Sequence, residues 1–242
     1  MRLVTITLWI LMGAALTGGV YWSFLITPES TIWSLAASAL LLLAAGFLLA
    51  LTVSGALLGW QRGVSSSLIR AAAAGVPASI PAALIAGLIW WLAGAATDRV
   101  TINSGPINAW FIAALGWDDV SWLFTGLAWL AMWLKWVVAP MLALALMAAI
   151  LTGGWREMAG AAWLKRALAP LPLATATLLF VALVAAPWIY LAPWRPAGLP
   201  ATSVELAFVI GKLAVTAWLM AVGVALIIRQ ATWTISTHSS AN

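Results

Sequence analysis

The chain of 242 residues contains no cysteine and one histidine, and only 7% of its residues are charged. Without cysteine there can be no disulfide, thiolate metal ligand or iron–sulfur cluster. The lone imidazole, His238, follows the last apolar run, so no apolar segment can offer one to haem, chlorophyll or zinc. Catalytic constellations are missing for the same reason. Ser54 in "VSGA" and Ser104 in "NSGP" have no histidine partner within the apolar runs. "GWDD" (116–119) is a single acidic pair, not two carboxylates from separate helices. There is no Gly-Lys-Thr phosphate loop, and the basic loops suit lipid better than nucleic acid. These absences lead us to expect a protein that is not an enzyme and carries no cofactor and no metal.

What the chain does have is apolar length. It is 65% hydrophobic, far above a soluble domain, and its apolar runs repeatedly reach the roughly 20 residues needed to cross a bilayer core of about 30 Å. The pattern predicts an all-α polytopic membrane bundle, one integral domain over 1–242. About six transmembrane helices are expected, at 3–26, 32–60, 77–96, 122–151, 171–191 and 204–228. The first run continues to Ile26, longer than a signal-peptide core, and is expected to be a retained anchor.

Basic residues orient this arrangement, because Lys and Arg are retained on the cytoplasmic side. Arg2, Arg62, Arg70, Arg156, Lys165, Arg166 and Arg229 fall on one side of a six-span alternation, against Arg99 and Arg195 on the other. Both termini are therefore expected in the cytoplasm, with a bacterial plasma (inner) membrane as the default location. Five of the six acids, Glu29, Asp98, Asp118, Asp119 and Glu205, fall on or near the outer side, in keeping with that arrangement.

The two inner connections look alike. "GWQRGVSSSLIRAAAAGVP" (59–77) and "GWREMAGAAWLKRALAPLP" (154–172) each run from Gly-Trp through arginine to a second basic residue, then proline. Each is expected to form a short interfacial amphipathic helix, with anionic lipid at Arg62, Arg70, Arg156, Lys165 and Arg166. The same likeness would suit a weak two-span repeat. The longest outer connection, 98–122, carries "INAWFIAALGW", too short to cross and too apolar to stand in water. An outer interfacial helix or lid is expected there.

Two lysines interrupt the apolar runs. Lys135 lies sixteen residues before Leu151, and Lys212 sixteen before Ile228, so both fall about 24 Å from the inner helix ends, in the outer leaflet. A charge at a helix centre costs roughly 3 kcal/mol on insertion scales, much of it recovered by snorkelling. Equal depth suggests a shared polar layer with Glu205, Asp118 and Asp119 at its rim, able to hold an anionic solute or lipid headgroup. The acids also have local roles. "TSVE" (202–205) reads as a capping box, and the Asp pair precedes a helix start. Pro140 and Pro187 are expected to free the carbonyls of Trp136 and Leu183 and to permit kinks.

Tryptophan is the remaining excess, eighteen in all. Twelve are assigned to the outer side (22, 33, 90, 91, 110, 117, 122, 129, 133, 136, 188 and 194), more than an interfacial belt requires. Trp122, Trp129, Trp133 and Trp136 recur at helical spacing and predict one stripe, facing partner or lipid. In the second span, Gly46, Ala50 and Ser54 repeat every four residues and Gly55 and Gly59 form a small-xxx-small pair, which predicts close helix packing. The reading that joins these features is an accessory, assembly or scaffold subunit that docks partners in a membrane protein complex through a Trp-rich outer half. Its alternative is a small transporter or lipid-handling protein built on a Lys135/Lys212 layer.

Overall fold

The computed structural model describes residues 2–28, 30–63, 68–117, 120–196 and 203–236, with side chains described as far as 232. These residues are helical apart from short turns and connections. The elements are α1 (Arg2–Ile26), α2 (Ile32–Arg62), α3 (Leu68–Gly75), α4 (Ser79–Ile102), α5 (Ser104–Leu115), α6 (Ser121–Trp133), α7 (Ala139–Gly153), α8 (Ala162–Ala167), α9 (Pro170–Leu179) and α10 (Ser203–Ser236). Six helical stretches are long and apolar enough to cross a membrane: Arg2–Ile26, Ile32–Arg62, Leu68–Ile102, Ser121–Gly153, Pro170–Leu191 and Ser203–Thr232. This is a membrane-spanning helical bundle, as the apolar runs predict.

Spans one and two form an antiparallel pair, held by contacts that only small residues permit. A Cβ on Gly13 would collide with the Thr52 side chain, and one on Gly55 would come within 2.6 Å of the Trp9 ring. The Trp9 indole fills that gap and donates to the Thr52 carbonyl at 2.9 Å. Part of the small-residue pattern in span two thus packs as expected: Ser54, Gly55 and Gly59 are buried. Gly46 does not, since it is exposed and a Cβ there would meet nothing, and Ala50 is only half-buried. A small-residue stripe shows where backbones can approach, but the partner's length decides where they do.

Span four is the axis of the bundle. Its C-terminal half, α7, buries nine of fifteen residues, including Met141, Leu146 and Met147, against α4, α10 and span two. The main apolar core joins Leu146 and Met147 to Ile6 and Ile10 of α1, Leu57 of α2, Ala82 of α4 and Ala225 and Ile228 of α10. These lie toward the end of the bundle that carries Arg2, Arg62, Arg70 and Arg229. The N-terminal part of the same span, α6, buries none of its thirteen residues, and α5 buries none of its twelve. The bundle is packed at one end and open at the other.

The two basic connections differ from each other. The helix expected in the first is present as α3, but it runs into span three through a single 3-10 turn (Val76–Ala78) and packs its Leu68 and Ala72 side against α2, leaving Arg70 exposed. Ser54 Oγ, fully buried, donates to the Ala72 carbonyl at 2.7 Å. The second connection is a 3-10 segment (Trp155–Ala159) followed by the six residues of α8. The matching tryptophans have unlike roles. Trp60 donates to the Ala225 carbonyl of α10 at 3.0 Å, whereas Trp155 is exposed. The sequence likeness of the two connections is not matched in their structure.

Candidate functional site

The two mid-span prolines, Pro140 and Pro187, are accommodated by π-helical turns, at Leu134–Val138 and at Phe180–Ala185, with a further one at Pro187–Leu191. Proline lacks an N–H, so one carbonyl behind it loses its donor. In a four-residue register the deprived carbonyls would be those of Trp136 and Leu183. The chain widens to a five-residue register instead: Ala139 donates to the Leu134 carbonyl and Ala186 to that of Val181. The next donors in line would be Pro140 and Pro187, so the carbonyls left open are those of Lys135 and Ala182. This corrects the expectation by one residue, and the π turn is the reason.

For Lys135 the open position is filled from another helix. The Trp90 indole of α4 donates to the Lys135 carbonyl at 2.9 Å, and the same ring lies 5.5 Å from the lysine Nζ. Trp90 in turn meets Trp136 edge-on at 4.9 Å. Nζ is also 3.5 Å from where a Cβ on Gly94 would stand, so a larger residue there would crowd it. Among the described residues no carboxylate or carbonyl lies within bonding distance of this half-buried ammonium. One turn along α4 from Gly94 begins a cleft of about 330 Å³ between α4 and α6. Its walls are Thr97, Val100, Thr101 and Ser104 on one side and Phe124, Leu127 and Ala128 on the other.

Lys212 has different company. Its Nζ donates to the Trp194 carbonyl at 2.8 Å and lies 5.9 Å from the Phe208 ring, itself 5.6 Å from Trp194. α10 packs on spans one, two, four and five, with no extensive contact to α4 or α6. The two lysines are therefore held by different helix pairs, and the structure does not assemble them into one cleft. Glu205 joins neither: it pairs with Arg195 at 2.6 Å, a partner sequence reasoning missed because it lies ten residues upstream across a connection. Asp118, Asp119 and Thr202 of the capping box lie outside the described residues. The exposed cations Arg62, Arg70, Arg156 and Lys165, and half-buried Arg166, have no ion pair among the described residues.

The tryptophan stripe of span four divides. Trp133 turns inward and donates to Thr177 Oγ1 of α9 at 3.0 Å, Trp136 goes to Trp90, and Trp122 and Trp129 are 58% and 66% exposed. The spacing arithmetic assumed α-helical twist throughout. The π turn after Trp133 advances fewer degrees per residue and carries Trp136 off the line. Trp122 lies beside Trp117, which stacks on Phe111 of α5 at 5.3 Å, so α5 is tied to the outer end of α6 by aromatic rings. A second, smaller crevice of about 160 Å³ lies between α1, α2 and α3 and is apolar, lined by Ile6, Trp9, Met12 and Leu68 among others. No group of three or more metal-ligating side chains occurs among the described residues. No family model, curated protein or solved structure matches the chain.

Proposed function

We propose that the protein is a non-catalytic membrane scaffold or accessory subunit, anchored by its inner half and docking another membrane protein on its Trp-rich outer half. The observation that carries this reading is the contrast along one span, nine buried residues of fifteen in α7 against none of thirteen in α6. A helix that needs only lipid around it has no reason to be so asymmetric, and exposed Trp122, Trp129, Trp188 and Trp194 supply the residue type most enriched where protein partners anchor. Both termini are placed on the cytoplasmic side of the plasma membrane, where the basic residues of the α3 and α8 regions would face anionic lipid. The competing reading, a transporter or lipid-handling protein working through a shared Lys135/Lys212 layer, draws less support, because the Lys212 ammonium is already engaged by Trp194.

A photo-cross-linking residue at Trp129 tests the docking reading. In native membranes it is expected to capture a second polypeptide, while the same residue at Leu8, also exposed but at the other end of the bundle, captures only lipid. Lipid adducts alone at both positions, or a solitary chain after gentle extraction, would overturn the proposal.

A further inference from the structure

Lys135 and the cleft above it form a polar constellation that docking does not use. An ammonium in a membrane-spanning helix that is half-buried and has no acceptor demands an anion or water. Its depth, about 24 Å from the inner end of the span, is a few ångströms short of the outer boundary of a 30 Å hydrocarbon core. The cleft begins one turn further out and so lies at headgroup level. The chemistry of its α4 wall is specific. Thr97 donates its hydroxyl proton to the Ala93 carbonyl at 2.7 Å, and Thr101 donates to the Thr97 carbonyl at 2.9 Å. With those protons committed to their own helix, what the threonines offer the cleft is oxygen lone pairs, which accept hydrogen bonds. The opposite wall, Leu127 and Ala128 with Phe124, is apolar.

We propose that this cleft binds a phosphate ester bearing a hydroxylated head: the hydroxyls donate to Thr97 and Thr101, the carbon skeleton rests on Leu127 and Ala128, and the phosphate reaches past the cleft lining to Lys135, whose Nζ stands beside Gly94 one turn along α4 from Thr97. A polyol-headed phospholipid of the outer leaflet and a small soluble phosphate ester share this chemistry. The site is independent of the docking reading, since it requires no partner chain.

The test uses the full chain in nanodiscs of phosphatidylcholine containing about a tenth phosphatidylglycerol, with bound lipid counted by native mass spectrometry. Lys135→Gln is expected to lower retained phosphatidylglycerol about tenfold, the scale of one charge-assisted hydrogen bond. Ala128→Phe fills the cleft but keeps the lysine and its Trp90 contact, and should do the same, so a folding defect in the first variant cannot mimic the result. Lys212→Gln, which removes a cation whose donor is already used, should leave retention unchanged. Displacement of the lipid by millimolar glycerol phosphate would identify a soluble ester as the source, and persistence would identify the lipid. Retention unaltered in both Lys135→Gln and Ala128→Phe, or lost equally in Lys212→Gln, would overturn the proposal.

Discussion

Replacing Trp90 by phenylalanine removes one hydrogen bond, and the structure states what depends on it. The Lys135 carbonyl has no donor of its own in the five-residue register, because Pro140 stands where the donor would be, and the Trp90 indole fills the gap at 2.9 Å. In hydrocarbon no solvent molecule takes over, so the penalty falls toward that of an unsatisfied carbonyl, roughly 1–3 kcal/mol. Measured interhelical hydrogen bonds in membranes average nearer 0.6 kcal/mol. Trp90 is 41% exposed, which favours the lower part of the range, and we expect about 1–2 kcal/mol for Trp90→Phe. Pro140→Ala restores an N–H to the helix and makes the indole redundant. The cost of Trp90→Phe should then fall to about that of the altered ring packing, giving a coupling of about 1 kcal/mol between positions 90 and 140. Reversible unfolding of all four proteins in mixed micelles measures it. If Trp90→Phe costs the same with and without Pro140, the proposed exchange between proline and indole is wrong.

Three further outcomes follow from the packing. Gly55→Ala puts a methyl against the Trp9 ring and should cost about 1–3 kcal/mol, whereas Gly46→Ala, facing open space, should fall within about 0.5 kcal/mol of the parent in the same assay. Ser54→Ala deletes a fully buried donor to Ala72 and should lower stability by about 1 kcal/mol, read as a lower unfolding midpoint. Glu205→Gln should cost less than about 1 kcal/mol, and the loss should fade with added salt, because the side chain of its partner Arg195 is 63% exposed.

The six spans were legible because apolar length is a property of single segments, readable one helix at a time. Helix α5 was legible for the same reason, as an apolar run too short to span. What escaped the sequence depends on a neighbour. Pro140 announces that some carbonyl loses its donor, but the choice between Trp136 and Lys135 rests on whether the helix widens, and widening is supported by an indole forty-five residues away. Equal spacing from two helix ends put Lys135 and Lys212 at similar depth but held no information on azimuth, and the two helices pack on different partners. Glu205 was read as a cap because its neighbours in sequence suggested one, while its ion-pair partner lies beyond the connection.

Gathering the packed side chains at the basic end also gives the molecule a graded resistance to opening. Backbone amides in α7, and in the parts of α2 and α10 that share its core, should exchange with deuterium only through global unfolding, while those in α5 and α6 exchange through local fluctuation. A ligand or neighbouring protein that settles on the open end would slow the fast amides and leave the slow ones unchanged, so protection could locate an occupant before anyone knew what it was.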